Sequence, residues 1–194
     1  MPDKSIYIAE YQSSIGPLLL GEYCGKICLC FTSDAPGLPS LLSRLSTRLK
    51  APIRQCQTVL LNNAFEALRE YFEGTRFQFD IPLLLVGSEF QQKIWIELER
   101  VPYGTVISYS DLARKAGVHT AVRAAASAVA ANPLLIFVPC HRVVRNFPET
   151  LSIEEIISRP KILGNFAAGI PLKATLLNLE TSAIEHSTLL YDAE

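Results

Sequence analysis

The chain has 194 residues, of which 49 % are hydrophobic and 19 % are charged, so it can form one large or two small domains around a real core. Its formal net charge of −1 excludes a general attraction to nucleic acid, and any basic surface must be local. Five cysteines, an odd number, do not indicate a disulfide framework. Neither an apolar signal core nor a membrane-length apolar run is present in the sequence. We therefore expect a reduced, cytoplasmic compartment and no membrane partner.

The first part of the chain predicts a β-rich domain with two helices. Two apolar runs flank a Cys-Gly-Lys turn at 24–26, which indicates a β-hairpin. Leucines between residues 38 and 49 follow helical spacing, and a second helix is predicted to begin at Asn62 or Asn63. The stretch FQFDIPLLLV predicts a strand that leads into a linker.

The second part predicts helices, two of which form a helix-turn-helix pattern. Ser88 is the expected cap of the first helix. The stretch SYSDLARKAG predicts the next helix, capped by Ser108 with Asp111 and ended by Gly117. A third helix, TAVRAAASAVAAN, follows after a short turn.

This third helix is rich in alanine, and Arg123 is its only long side chain between Ala121 and Ala131. Small side chains suit either tight packing in a core or close approach to another backbone. A DNA minor groove, about 6 Å wide, would admit only such a helix. An arginine there could fill the space that a displaced base leaves. The helix-turn-helix pattern alone is weak evidence, because many proteins that do not bind DNA contain it.

A cysteine, a histidine and an arginine follow a proline at the end of the apolar run LLIFV. We predict that LLIFV is a short buried strand and that Pro139 opens a helical turn. Cys140 would then lie at a helix N-terminus, where the dipole stabilises a thiolate, and His141 could accept the thiol proton. The alternative is an inert buried thiol, which is common for free cysteines. The Pro-Cys-His-Arg run favours a nucleophile.

The stretch PCHRVV after NPLLIFV resembles the active-site signature of the O6-alkylguanine-DNA alkyltransferases, also called methylated-DNA–protein-cysteine methyltransferases. Similarity extends over about residues 7–180 and is specific in the second part and loose in the first. It implies an α+β fold. A small α/β, ribonuclease H-like scaffold domain would span 1–84. A mainly helical, winged helix-turn-helix-like domain would span 85–194 and carry DNA binding and alkyl transfer.

The resemblance implies DNA repair by direct reversal, without a cofactor or a metal. A monomer would bind duplex DNA by its minor groove and flip the O6-alkylguanine out of the stack. Cys140 would attack the alkyl carbon and keep the alkyl group irreversibly, so each molecule would act once. His141 would take the thiol proton through a water, and Glu180 would orient His141. Tyr109 would donate to the leaving guanine, and Asn132 would brace the active-site turn.

The same resemblance implies which residues meet the DNA and the lesion. Arg123 would occupy the vacated position in the base stack. Lys173 would lie near the carbonyl of Cys140. The other expected DNA-binding residues are Ala124, Ser127 and Tyr109. The expected pocket for the base and its alkyl group consists of Pro139, Phe166, Ala167, Ala168 and Lys173.

Several of these side chains have simpler alternative roles. Tyr109 could be an ordinary interface aromatic, and Glu180 an exposed charge at a helix end. Arg142 is expected to be a structural ion-pair partner. Zinc is an alternative for the hairpin cysteines, but no fourth ligand is evident and we expect small buried side chains instead. These cysteines are Cys24, Cys28 and Cys30.

One segment departs from the family pattern. Nineteen residues, 145–163, lie where the family usually has a short glycine-containing turn. Within them SIEEIIS predicts an amphipathic helix with a capping box of Ser152 and Glu155, whose glutamates would face away from DNA. Phe166 stands where the family usually has tyrosine. Pocket size and the range of accepted alkyl groups therefore depend on this segment.

Two other functions are compatible with parts of the sequence. An alkyltransferase-like protein would bind the lesion without reacting and mark it for other repair, but such proteins typically lack the cysteine. A cysteine hydrolase would use Cys140 and His141. It would also need an oxyanion hole, and no glycine-rich donor loop precedes the cysteine.

Overall fold

The computed structural model describes residues 4–191, with side chains described as far as residue 184. The chain divides into two compact units. The first comprises Met1–Ser88 and Pro133–Phe137, and the second comprises Glu89–Asn132 and Val138–Glu194. The sequence did not indicate that five residues before the catalytic motif return to the first unit. Within 4–191 no helix combines the length and apolarity needed to cross a membrane.

The first unit is built on a four-stranded sheet with the order β3-β2-β1-β4. Its strands are β1 (Ile6–Ser13), β2 (Gly16–Tyr23), β3 (Lys26–Thr32) and β4 (Ile53–Gln55). Two hairpins make β1, β2 and β3 antiparallel, whereas β4 runs parallel to β1. The predicted hairpin between β2 and β3 is confirmed. Cys24 and Gly25 have φ of 50° and 75°, the positive values that a tight two-residue turn requires.

Two helices, α1 (Leu38–Leu49) and α2 (Val59–Phe72), complete the first unit, as predicted. The expected asparagine cap of α2 is wrong, because the hydroxyl of Thr58 accepts the N–H of Leu61 and the helix begins earlier. The predicted strand in FQFDIPLLLV is also wrong. Only Leu83 pairs there, with Ile27, because Pro82 has no N–H to extend the ladder.

The second unit is mainly helical, with one short parallel strand pair, β5 with β6. Its elements are α3 (Glu89–Glu99), β5 (Ile107–Ser108), α4 (Tyr109–Lys115), α5 (Val122–Ala130), β6 (Val143–Val144), α6 (Ile153–Ile157), α7 (Pro160–Leu163) and α8 (Ile170–Tyr191). The predicted cap at Ser108 is confirmed, since its hydroxyl accepts the N–H of Asp111 at 3.0 Å. Helices α4 and α5 are the two helices of the predicted helix-turn-helix.

The unusual segment 145–163 folds into α6 and α7 rather than an open loop. The predicted capping box of Ser152 and Glu155 is present. Ile156 is fully buried in a small apolar cluster that also contains Val144, Leu163 and Leu177. Glu155 and its neighbour Glu154 are exposed. The segment is therefore a packed part of the second unit.

The buried run LLIFV is not a strand, which corrects the prediction. Ile136 has φ of 74°, and the N–H of Phe137 donates to the carbonyl of Leu135 at 2.9 Å, a γ-turn of positive φ. Pro139 forms an inverse γ-turn, with φ −80° and ψ 62°, in which the Cys140 N–H donates to Val138. These two sharp turns direct the chain into a single 3₁₀ turn, Cys140–Arg142.

Candidate active site

Cys140 is enclosed, with 2 % of its surface exposed. The amide nitrogen of Asn132 donates both to the sulfur of Cys140 at 3.0 Å and to the carbonyl of Val138 at 2.8 Å. Asn132 therefore braces the turn as expected, because one amide group joins the residues on both sides of Pro139. Its direct bond to the sulfur was not predicted, since an Asn-Pro pair in a sequence indicates only a turn.

The expected net stabilisation of the Cys140 thiolate is wrong, although the backbone N–H groups of Cys140 and His141 do act to lower its pKa. Burial raises the pKa of Cys140 to about 11, although the Asn132 amide and the Lys173 ammonium act to lower it. A 3₁₀ turn of three residues supplies only a small dipole, and enclosure in apolar surroundings disfavours the thiolate. The cysteine is therefore a thiol at neutral pH, and its reaction requires a base.

His141 has the geometry of that base. Its Nε2 donates to Glu180 at 2.8 Å, and its Nδ1 is buried without a hydrogen-bond partner in the described part of the chain. Burial lowers the pKa of His141 and outweighs the carboxylate beside it. The imidazole is thus neutral, with its proton on Nε2 and a lone pair on Nδ1. Glu180 is fully buried, so the alternative of an exposed charge is wrong.

Arg142 holds Glu180 in place. Its guanidinium donates to both carboxylate oxygens, with Nε 2.9 Å from Oε2 and Nη2 2.8 Å from Oε1. It also donates to the carbonyl of Val101 at 2.6 Å. Burial alone would raise the pKa of Glu180, but His141 and Arg142 hold it well below its usual range. The expected role of Arg142 as an ion-pair partner is confirmed.

The Val-Pro-Tyr-Gly turn before β5 also belongs to this network, although the sequence indicated only a turn. The N–H of Gly104 donates to Oε2 of Glu180 at 3.0 Å. Gly104 has φ of 65°, and a Cβ at this position would lie 2.1 Å from Ile184. The ring of Tyr103 lies 5.5 Å from the Arg142 guanidinium. A glycine is therefore required where the turn meets the carboxylate.

The expected position of Lys173 near the carbonyl of Cys140 stays a prediction, and its hydrogen bonds go to other carbonyls. Its ammonium donates to the carbonyls of Val143 at 2.5 Å and Leu163 at 2.6 Å. The carbonyl of Cys140 instead accepts the N–H of Val143. Burial lowers the pKa of Lys173 to about 8. Lys173 thus fastens the chain after the cysteine to the end of α7.

Tyr109 lies on a cleft of about 460 Å³ that also includes Arg123, Ser127, Phe166 and Ala167. Its hydroxyl is 3.4 Å from the carbonyl of Asn165, and burial raises its pKa. A phenol that stays protonated can donate to a base within the cleft. The predicted DNA-binding and pocket residues that do not line this cleft are Ala124, Pro139, Ala168 and Lys173. The buried residues Cys140, His141, Glu180 and Asn132 do not line it either.

Helix α5 packs closely on one face and is exposed on the other. Ala125 and Ala128 are buried, and the indole nitrogen of Trp95 donates to the carbonyl of Ala128 at 2.8 Å. The exposed face presents Arg123, Ala124 and Ser127, and is flat except for the arginine. Close packing on one face therefore coexists with a smooth, singly charged surface on the other.

The three hairpin cysteines differ in their exposure to solvent. Cys28 and Cys30 are buried in β3, whereas Cys24 is exposed in the turn. Burial raises the pKa of Cys28 to about 12, so that thiol stays protonated. Across the described residues, no three His, Cys, Asp or Glu side chains are grouped so that they could hold a metal ion.

Comparison with known proteins was made for the sequence and for the fold. Residues 89–182 match the family model described as 6-O-methylguanine DNA methyltransferase, DNA binding domain. The constitutive methylated-DNA–protein-cysteine methyltransferase of Bacillus subtilis is 34 % identical over 90 % of this chain and 94 % of its own length. The methylated-DNA–protein-cysteine methyltransferase of Mycobacterium leprae is 31 % identical over 96 % of this chain and 99 % of its own length.

Solved structures give the same result for the architecture. The crystal structure of Mycobacterium tuberculosis OGT in complex with DNA has a TM-score of 0.70 at 29 % identity, over 91 % of this chain and 94 % of that one. The O6-methylguanine methyltransferase of the same organism also has a TM-score of 0.70 at 30 % identity, over 92 % and 94 %. The expected α+β fold is confirmed.

Proposed function

The chain belongs to the methylated-DNA–protein-cysteine methyltransferase family, and we propose that it repairs DNA by moving an alkyl group from O6-alkylguanine to its own Cys140. The observation that carries this proposal is the buried group formed by Cys140, Asn132, His141 and Glu180. A nucleophile, a donor to its sulfur, an oriented base and a carboxylate lie in one network.

The proposed step is an in-line displacement. The sulfur of Cys140 forms a bond to the alkyl carbon while the bond from that carbon to guanine O6 breaks, and the electron pair stays on the guanine. The thiol proton leaves to Nδ1 of His141, through a water. The resulting thioether is stable, so one molecule repairs one lesion.

Proton transfer to His141 is supported by the raised pKa of Cys140 and the lowered pKa of His141. A thiol with a pKa of about 11 needs a base, and a neutral imidazole with an available Nδ1 supplies one. As Nδ1 gains the proton, Glu180 lies beside the imidazolium and stabilises it. Arg142 and Gly104 keep the carboxylate in position throughout.

The leaving guanine would be received in the cleft beside Tyr109. Its phenol is protonated and half-buried, and can donate to the ring as negative charge develops on it. The base must leave the duplex, because Cys140 is too enclosed to reach a stacked guanine. Arg123, alone on the exposed face of α5, would fill the gap in the stack from the minor groove.

DNA is the partner that the relatives support, while the O6-alkylguanine lesion, the minor groove, the monomeric state and the cytoplasmic location are proposals. A lesion-binding protein without transfer activity is not favoured, because the cysteine is present and bonded by Asn132. A hydrolase would turn over repeatedly, whereas the proposed reaction leaves the protein alkylated.

Intact-protein mass spectrometry after incubation with a duplex carrying one O6-methylguanine tests the proposal. The wild type should gain the mass of one CH₂, and Cys140→Ala should gain none. Cys56→Ala is a matched control, because Cys56 is an exposed free thiol and its loss should leave transfer unchanged. Tight binding to the lesion without a gain in mass would reject transfer and support a damage-marking protein.

A further inference from the structure

We propose that Arg145 binds a backbone phosphate of the nucleotide that is flipped toward Cys140, an inference that rests on the proposed function. Arg145 is the first residue of the unusual segment 145–163 and follows β6 directly. Its side chain is exposed and lines the same 460 Å³ cleft as Tyr109 and Arg123.

The structure holds the base of this side chain firmly while leaving its charged end accessible. The N–H of Arg145 donates to the carbonyl of Ile162 at 2.8 Å, which ties it to α7. A Cβ added to Gly164 would lie 3.4 Å from Cγ of Arg145 and 3.7 Å from Cε2 of Tyr109. The arginine stem and the tyrosine ring therefore lie on either side of Gly164 and close to its Cα. Arg145 is positioned on the cleft by the segment that departs from the family pattern.

The charge of the cleft favours an anion. Its charged lining residues within the described structure are Arg123 and Arg145, which come from two different elements. The neighbouring cleft of about 640 Å³ is different, because Asp111 and Glu149 there offset its basic residues. Of these two clefts, the one beside Tyr109 presents uncompensated positive charge.

Arg145 and Arg123, the two arginines of this cleft, differ from three other exposed arginines of the same unit. Arg100, Arg114 and Arg159 each pair with a carboxylate, at 2.6 Å, 2.6 Å and 3.8 Å. Within residues 4–184 the structure shows no carboxylate that pairs with Arg145. A guanidinium offers parallel N–H donors that match the oxygens of a phosphodiester. An unpaired guanidinium on a positive cleft is suited to that group.

A phosphate fits better than the base itself. The guanine must approach Cys140, which is enclosed, whereas the arginine lies exposed on the cleft. When a nucleotide leaves the stack, its phosphate remains with the strand outside the pocket. Arg123 in the duplex and Arg145 on the adjoining phosphate would then hold the strand at two points.

The test compares Arg145→Ala and Arg145→Lys with wild type on duplex DNA at several salt concentrations. Loss of one phosphate contact should lower the slope of log affinity against log salt concentration by about 0.9. Arg145→Lys should restore that slope, because lysine retains the charge. Arg159→Ala is the matched control: it removes an exposed arginine of the same segment that is already paired with Glu155, and should leave the slope unchanged.

A second measurement uses the free base O6-methylguanine, which has no phosphate. Its rate of transfer to Cys140 should be the same in Arg145→Ala and wild type, while transfer from duplex DNA slows at subsaturating concentrations. An unchanged salt slope, or equal slowing with the free base and duplex, would overturn the inference. Transfer by wild type in the same assay shows independently that the proposed function holds.

Discussion

The carboxylate of Glu180 joins His141 to Arg142. It accepts a hydrogen bond from Nε2–H of the imidazole at 2.8 Å, and from the Nε and Nη2 groups of the guanidinium at 2.9 Å and 2.8 Å. This fixes the imidazole proton on Nε2 and leaves Nδ1 as the basic nitrogen. The same contacts are structural, because a buried carboxylate needs its cation. The proposed proton transfer and the stability of the buried carboxylate thus depend on the same three side chains.

Replacing Glu180 by glutamine should affect both properties. The transfer rate should fall by at least about tenfold, since a positioned general base contributes roughly 10²–10⁴-fold. Stability should fall by about 3–5 kcal/mol, because Arg142 loses its buried counter-charge. Single-turnover kinetics and urea unfolding measure the two effects. Glu66→Gln, which removes an exposed pair with Arg69, should change neither appreciably. Full activity in Glu180→Gln would exclude His141 as the base that Glu180 orients.

Asn132→Ala should make Cys140 less acidic. A hydrogen bond to sulfur favours the thiolate, so its loss should raise the pKa of Cys140 above that of wild type. The carbonyl of Val138 also loses one of its two donors and keeps the N–H of Cys140, which should cost about 0.5–1.5 kcal/mol. Iodoacetamide labelling of Cys140 as a function of pH measures the first effect. A midpoint that stays in place or moves to lower pH would contradict the role assigned to the amide.

Lys173 should give the protein a distinctive pH dependence. Its pKa is lowered from 10.5 to about 8 in the folded state, so between these values the unfolded chain binds more protons and stability rises with pH. The maximum slope for one group is about 1.4 kcal/mol per pH unit. The unfolding free energy of wild type, relative to that of Lys173→Met, should therefore increase as the pH rises from 8 to 10.5.

Cys140 acts in the opposite direction in this range, because its folded pKa of about 11 lies above the ordinary value of 9.0. Its contribution is lost as the pH rises between those values. Both proteins retain Cys140, so the comparison removes most of this effect. A difference that is independent of pH would show that Lys173 is not desolvated in the folded protein.

The segment 145–163 should contribute to stability through the burial of Ile156. Ile156 is fully buried against Val144 and Leu163, and Ile156→Ala should cost about 2–5 kcal/mol through the lost contacts and the cavity. Ile153 on the same helix is only partly buried and lies outside this cluster, so Ile153→Ala should cost much less. Equal effects in urea unfolding would indicate that α6 is not anchored by Ile156.

The features that the sequence predicted correctly depend on local chemistry. The Cys24–Gly25 turn, the Ser108 cap and the Ser152–Glu155 capping box each use residues within four positions of one another. The resemblance pointed to Cys140, His141 and Glu180, and the structure joins His141 to Glu180 by a buried hydrogen bond. The turn and the two caps can be predicted from neighbouring residues alone, and the site residues from the family pattern.

The incorrect predictions concern properties that arise from packing. The run LLIFV has the composition of a strand, but neighbouring turns at Ile136 and Pro139 bend it. A helix dipole was expected to lower the pKa of Cys140, whereas burial of the side chain raises it. The bond from Gly104 to Glu180 spans 76 positions in the chain, and no short-range pattern indicates it.

The return of Pro133–Phe137 to the first unit has a consequence for the order of events during synthesis. β3 lies at the edge of its sheet, and Cys30 bonds there to Pro133 and Leu135 through its N–H and carbonyl. The ribosome releases β3 first, so the edge at Cys30 stays unpaired until the later residues emerge, whereas Ile27 can already pair with Leu83. A separately expressed C-terminal fragment would carry the apolar side chains of 134–137 with nothing to cover them. The segment that leads into Cys140 therefore needs the N-terminal sheet as its partner.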